Sequence, residues 1–264
     1  MNALLDVPSF AVVGSVLVVG FLTGGADRGK TIHVSRSLAL PMGAVAFLIA
    51  LIQLLGELSD PGELGPALSV AFLPILYSVI LFVVLSLFAG HEQIPDVHPV
   101  NDNGRQSWFR LLVPCAMLVV VLAGAMTWDQ MSISAYIDLQ AIILQLFFSL
   151  VPATFVYFTS RTNHFIQSVR ILRNGSLSAA VVGSLVSWIA ILHHFDAPTM
   201  VGPGFAVGLL SILYGGILTM MSTVFWHARV GVKMPGNHVI SVAFVALALL
   251  NFIFGAAFSV ALFA

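Results

Sequence analysis

Pro61-Gly-Glu-Leu-Gly65-Pro66-Ala-Leu-Ser-Val-Ala-Phe-Leu-Pro74-Ile-Leu-Tyr77-Ser78 and Pro198-Thr-Met-Val-Gly202-Pro203-Gly-Phe-Ala-Val-Gly-Leu-Leu-Ser211-Ile-Leu-Tyr214-Gly215 are two versions of one stretch, 137 residues apart. Eight of the eighteen positions are identical without a gap: Pro61/Pro198, Gly65/Gly202, Pro66/Pro203, Val70/Val207, Leu73/Leu210, Ile75/Ile212, Leu76/Leu213 and Tyr77/Tyr214. Shared apolar composition alone would not bring glycine and proline into the same register, so the match marks an internal duplication. Each copy opens on turn formers and runs into an apolar segment, the pattern of a loop feeding a helix. A weaker echo joins Leu5-Asp6 to Ile137-Asp138, each ahead of an apolar run.

The surroundings of these stretches decide what kind of helix they start. Only 8% of the 264 residues are charged and 59% are hydrophobic, with a mean hydropathy of +1.04. A soluble domain carries about 25% charged residues. The composition excludes a soluble enzyme and a disulfide-stapled secreted domain, and the net charge of -1 excludes a nucleic-acid binder. The one cysteine, Cys115, lies in an apolar run and has no partner for an intrachain disulfide. A membrane span takes about 20 apolar residues. Eight such runs are present, at 8–24, 38–56, 66–89, 111–128, 139–160, 177–194, 204–227 and 239–263. They are too long and too uniformly apolar for the strands of a membrane barrel. The expected fold is therefore all-α, a polytopic membrane protein of about eight transmembrane helices. Its two repeats, 1–128 and 129–264, would each contain four spans. An even number of spans keeps both copies in the same orientation, so the repeats should be parallel.

All ten basic residues fall in loops on one side: Arg28, Lys30, Arg36, Arg105, Arg110, Arg161, Arg170, Arg173, Arg229 and Lys233. The opposite side carries Asp6, Glu57, Asp60, Glu63, Asp129, Asp138 and Asp196 and no Lys or Arg. By the positive-inside rule the basic side is cytoplasmic, with both termini extracytoplasmic. Residues 1–10 have no basic segment of the kind that opens a cleaved signal peptide.

The stretch from Asp196 through Gly215 resembles the MotA/TolQ/ExbB proton-channel family, most closely the MotA flagellar-stator branch. It is similar to that family's link between its third and fourth helices and to the start of the fourth. Gly183-Ser184-Leu185-Val186 resembles the third helix, and Leu5-Asp6-Val7-Pro8-Ser9 resembles the start of the second. The resemblance covers roughly two thirds of the chain. It implies a bacterial inner-membrane subunit that couples proton or sodium motive force to work; the alternative is a non-conducting structural scaffold of a membrane complex derived from the same fold. It also implies a homo-oligomer around a single-span partner of the MotB, ExbD or TolR kind, which supplies the ion-carrying Asp. Three features depart from the pattern. The loops 25–37 and 161–176 are short where stator subunits carry a large cytoplasmic domain. The family's first helix has no counterpart ahead of the first span. Span four would serve as that helix for the second repeat, which leaves span eight as an addition.

Within the resemblance, Ser184 and Ser211 stand where the family has helix threonines, and Tyr214 lies one turn beyond Ser211. These three are the candidate ion pathway. The other reading of the serines is that they bond to helix carbonyls or to a neighbouring helix. Pro198, Gly202 and Pro203 are the candidate gate and helix start, with Pro198 given a part in an extracellular gate by the resemblance. In the first repeat Phe47 and Pro74 replace the two serines, so its counterparts Pro61, Gly65, Pro66 and Tyr77 read as structural. Proline costs little in a first turn, whereas Pro74 lies within span three and should kink it. No Asp, Glu, Lys or Arg lies near the middle of any span, so the chain has no proton relay of its own. Gln140, Gln145 and Asn251 are expected to bond between helices. His91, Glu92, Asp96 and His98 read as a solvated loop, and His193-His194 beside Asp196 as an interfacial anchor or a pH-sensitive gate. No metal site, cofactor site or catalytic pair is read from the sequence, and no enzyme activity is expected.

Overall fold

The computed structural model describes residues 6–25, 27–57, 64–89, 104–128, 133–159, 164–193, 201–229 and 237–263. Regular structure among them is entirely helical. In chain order the helices are α1 (Val7–Gly24), α2 (Arg28–Glu57), α3 (Leu64–Ala71), α4 (Leu73–Ala89) and α5 (Gly104–Met126). A 3-10 turn (Ile133–Tyr136) precedes α6 (Leu139–Gln145), a π turn (Leu146–Leu150) and α7 (Val151–Thr159). The chain then closes with α8 (His164–His193), α9 (Val201–Arg229) and α10 (Asn237–Phe263). Seven passages are long and apolar enough to cross a bilayer, and α5 adds a shorter apolar section, Leu111–Met126. The protein is thus an all-α, multi-pass membrane protein. Each of the eight expected spans falls on one of these passages.

Two of the helices outrun their apolar sections. α2 and α8 have 30 residues each, about 45 Å of helix against a hydrocarbon layer of about 30 Å. Their first turns, with Arg28, Lys30 and Arg36 on α2 and Arg170 and Arg173 on α8, stand beyond the apolar part. The sequence reading placed these residues in loops. Neither stretch contains a proline, and the single glycines Gly29 and Gly175 are accommodated within the helices.

Span three is divided as Pro74 requires. Phe72 forms the turn between α3 and α4, because a proline at 74 has no N–H to give and its ring crowds the preceding turn. Pro41 and Pro114 lie inside α2 and α5 without dividing them. Span five is interrupted differently, by the π turn at 146–150. There α8 crosses so closely that a Cβ on Gly175 would meet the Phe148 carbonyl oxygen at 2.5 Å.

α2 lies at the centre of the molecule. It packs against α1, α4, α9 and α10, and Met42, Val45, Phe47 and Leu48 are buried on its different sides. Four helices form a row, α4–α2–α9–α8, in which α2·α4 and α8·α9 are the corresponding pairs of the two halves. The halves meet through α2 and α9. Their counterparts α8 and α4 share no extended contact, so the halves are not related by a two-fold axis. The fourth spans also differ. α5 packs on α1 and α9, whereas α10 packs on α2, α9 and α8.

Candidate functional site

The α8–α9 contact is built from small residues. On α9, Gly204, Gly208, Ser211, Gly215, Thr219 and Thr223 recur at spacings of three and four, which puts them on one face. Apolar packing against lipid gives helices no preference for each other in a membrane, so close backbone approach and interhelical bonds carry the association. The approach here is close. A Cβ on Gly183 would meet Ser211 Cβ at 2.5 Å, and one on Gly215 would meet the Ser176 carbonyl oxygen at 2.8 Å and Ala180 Cβ at 2.9 Å. Gly204 and Gly208 are pressed in the same way against Ile191 and Ser187.

The hydroxyls on this seam are buried and bonded. Ser184 is 3% exposed and Ser211 1%. Ser184 donates to the Ala180 carbonyl at 2.9 Å, and Ser211 donates to the Val207 carbonyl at 2.9 Å. Ser187 donates to the Gly204 carbonyl. The Ser176 and Thr219 hydroxyls are 2.8 Å apart and bond across the seam. Ser222 and Thr223 both donate to the Thr219 carbonyl at 2.8 Å. The two alternatives open for Ser184 and Ser211 therefore meet a definite geometry: both serines donate within their own helices and neither faces lipid.

α10 closes the seam on one side. Asn251 Nδ2 donates to the Ser184 hydroxyl at 3.2 Å and to the Leu247 carbonyl at 3.1 Å, and Trp188 Nε1 donates to Asn251 Oδ1 at 3.1 Å. The next residue of α10 turns to the other half. Phe252 packs edge-on against Phe47 and Phe72, with ring centroids 6.0 and 5.1 Å apart. Phe47 and Ser184 occupy corresponding positions in the two repeats, so one turn of α10 addresses both. Gln145 bonds between helices as expected, Nε2 donating to the Ser176 carbonyl at 3.3 Å. Gln140 differs: its side chain is exposed in the first turn of α6, because this turn lies at the mouth of the span.

Tyr214 and Tyr77 perform the same task. The Asp138 backbone N–H donates to the Tyr214 hydroxyl at 3.0 Å, and the Asp6 backbone N–H donates to the Tyr77 hydroxyl at 3.2 Å. Tyr214 also donates to the Tyr136 carbonyl. Each Asp caps the helix it precedes, Asp6 accepting from the Ser9 N–H and Asp138 from the Gln140 N–H, both at 2.9 Å. A cap of this kind is worth about 0.5–2 kcal/mol. The tyrosines thus pin the start of one span to the third span of the same half. The sequence held both members of this contact, as the repeated Tyr and the echoed Asp, without showing that they touch.

Of the remaining candidates, Gly65 and Pro66 lie in the first turn of α3, and Gly202 and Pro203 in the first turn of α9. Both helices start two residues before the proline. Pro61 and Pro198 lie outside the described residues, as do His91, Glu92, Asp96, His98, His194 and Asp196. Among the described residues, no group of three His, Cys, Asp or Glu side chains comes together. The sequence reading missed Trp188, Ser187, Ser176 and Thr219. The small-residue spacing on α9 was a signal for the last of these. Trp188 had none, because its partner comes from a distant helix.

No family model matches the chain, no curated protein matches it, and no solved structure matches it.

Proposed function

We propose that the chain is a non-conducting structural subunit of a membrane complex, built on a duplicated fold of the MotA/TolQ/ExbB type. The observation that carries this reading is the bond between Asn251 and Ser184. A wall of a shared ion path would present its hydroxyls to the space between chains. Here Ser184 and Ser211 are covered within one chain, and the neutral carboxamide of Asn251 on α10, rather than a group of another chain, stands against Ser184. A carboxamide neither gains nor loses a proton under physiological conditions. The twin Asp–Tyr junctions support the duplication on which the family resemblance rests. The basic loops support a bacterial inner-membrane orientation with the basic face in the cytoplasm and both termini outside.

A second reading keeps one observation in its favour. The hydroxyls of Ser211, Ser176, Thr219 and Thr223 follow one another along the seam, and polar groups of this kind replace the hydration of a moving ion. In that reading the chain conducts protons or sodium with a single-span partner whose Asp carries the ion.

One experiment separates the two. The full chain is reconstituted in liposomes with and without a co-purified single-span partner, and proton and sodium flux are followed with trapped indicators. A stable complex with no flux supports the structural subunit. Flux that requires the partner and falls at least tenfold in Ser211→Ala overturns it and supports conduction.

A further inference from the structure

The first half contains a cavity of about 430 Å³ between α1, α2, α5 and the α3–α4 kink. That volume is in the range of sites that hold small organic ligands. Its cause is local. Ala46, Ala50, Gly124 and Ala125 face the space with little or no side chain, and Pro74, just past the break between α3 and α4, lines it. At the corresponding level of the second half, Gly183 and Ser187 stand for Ala46 and Ala50, and they are in close contact with Ser211 and Gly208 of an unbroken α9. The space exists where one repeat is kinked and the other is not.

The lining is polar at one end only. The shaft is Val12, Ala46, Ile49, Ala50, Val121 and their neighbours. The rim is Asp6, Ser9, Gln53 and Trp128, all at the end of the bundle where α1 starts and α2 and α5 finish. Asp6 uses Oδ2 as the helix cap, which leaves its second carboxylate oxygen. Gln53 gives its Nε2 hydrogen to the Ala125 carbonyl at 3.0 Å, which leaves its carbonyl oxygen as an acceptor. Trp128 adds an indole ring that is 62% exposed. A carboxylate oxygen, a carboxamide oxygen and an indole face all attract a cation that donates hydrogen bonds. Val70, exposed and within the apolar part of span three, also edges the cavity, which gives an occupant a sideways entry from the bilayer.

We infer that this cavity binds an amine-headed lipid, with one acyl chain in the apolar shaft and the primary ammonium between Asp6 and Gln53. The phosphate of such a lipid would lie beyond the rim, in the water outside the helix ends. A headgroup without hydrogen-bond donors, such as choline, forgoes the bonds to both oxygens. An anionic headgroup, such as glycerol phosphate, meets the carboxylate unfavourably.

The full-length protein is exchanged into mixed phosphatidylethanolamine, phosphatidylcholine and phosphatidylglycerol, stripped with a delipidating detergent and weighed intact by native mass spectrometry. One ethanolamine lipid per chain is expected to survive, with about tenfold preference over either competitor. Asp6→Asn keeps the helix cap, because Asn caps as well as Asp, and should reduce that preference at least threefold while a lipid is still retained. Ala50→Phe should fill the shaft and abolish retention. Gly124→Leu serves as a second filling variant, since a Cβ at Gly124 meets nothing within 4 Å. Helical circular dichroism verifies the fold of each. Equal retention of the three lipids, an unchanged preference in Asp6→Asn, or retention unaffected by both filling variants would overturn the assignment.

Discussion

The two halves of this protein share their helix starts and differ in how their paired helices cross. α3 and α9 begin at corresponding residues, and both Asp–Tyr junctions contain a bond from the Asp backbone N–H to the Tyr hydroxyl. Between those fixed points the first half places Phe47 and Pro74, and the second places Ser184 and Ser211. The consequence is a kinked pair with an aromatic cluster and a cavity on one side, and a straight pair with a close hydroxyl seam on the other. Both pairs touch closely at one level, Gly43 with Ser78 and Gly215 with Ala180, and they part company toward the outer end, where the first half holds Ala46, Ala50 and Pro74 and the second Gly183, Ser187 and Ser211.

The strongest way to break this comparison is to give the second half the first half's proline. Ser211→Pro removes a helix bond in the middle of α9 and pushes a ring into the seam. It should destabilise the protein by about 3 kcal/mol or more, measured by detergent-titrated unfolding followed by circular dichroism. The reverse change, Pro74→Ser, has room to straighten α3–α4 and should cost far less. Equal costs would mean that the kink is not what separates the halves.

Next in size is the contact at the crossing itself. Gly183→Val forces side-chain atoms into Ser211 and should cost about 1–3 kcal/mol by overpacking. Ala46→Val, at the matching position beside the cavity, should stay below that range in the same unfolding assay. A Gly183→Val protein as stable as the parent would show that the seam is looser than its geometry.

Asn251→Ala tests what α10 contributes. It removes the Asn251 bonds to Trp188, Ser184 and the Leu247 carbonyl and should cost about 1–2 kcal/mol. It should also shift the tryptophan emission, since Trp188 is one of four indoles. An unchanged stability and spectrum would remove the basis for α10 as the lock on Ser184.

The smallest effects belong to what the halves have in common. Tyr77→Phe should cost about 1 kcal/mol for the lost bond to the Asp6 N–H, and Tyr214→Phe, which loses its bonds to the Asp138 N–H and the Tyr136 carbonyl, about 1–2 kcal/mol in the same unfolding assay. A change without cost in either half would show that the junctions match in shape and not in energy.

Much of this was legible in the sequence. Apolar runs gave the spans because each helix must satisfy its own backbone in lipid, and Pro74 announced its kink because a proline lacks the N–H. The candidate site was legible only as a set of residue types. Ser184, Ser211 and Tyr214 carry hydroxyls, and a hydroxyl in a span serves a path or a packing bond equally well. The choice rests on what stands opposite. For Ser184 that is Asn251, 67 residues away on α10, and for Tyr214 it is the backbone at Asp138. Pairings across such distances leave no periodicity to read.

By itself, then, the sequence located the apolar passages, the matching helix starts and the break ahead of Pro74. Each of these follows from local chemistry: hydropathy over about 20 residues, a capping Asp, a ring without an N–H. Only the tertiary structure decided that α2 is central, that α2 and α9 form the main contact between the halves with α5 and α10 adding to it, and that α10 covers Ser184. It also decided that one repeat closes while the other holds a cavity. These depend on which small residues of separate helices come face to face, and such contacts belong to pairs of helices rather than to any one stretch of chain.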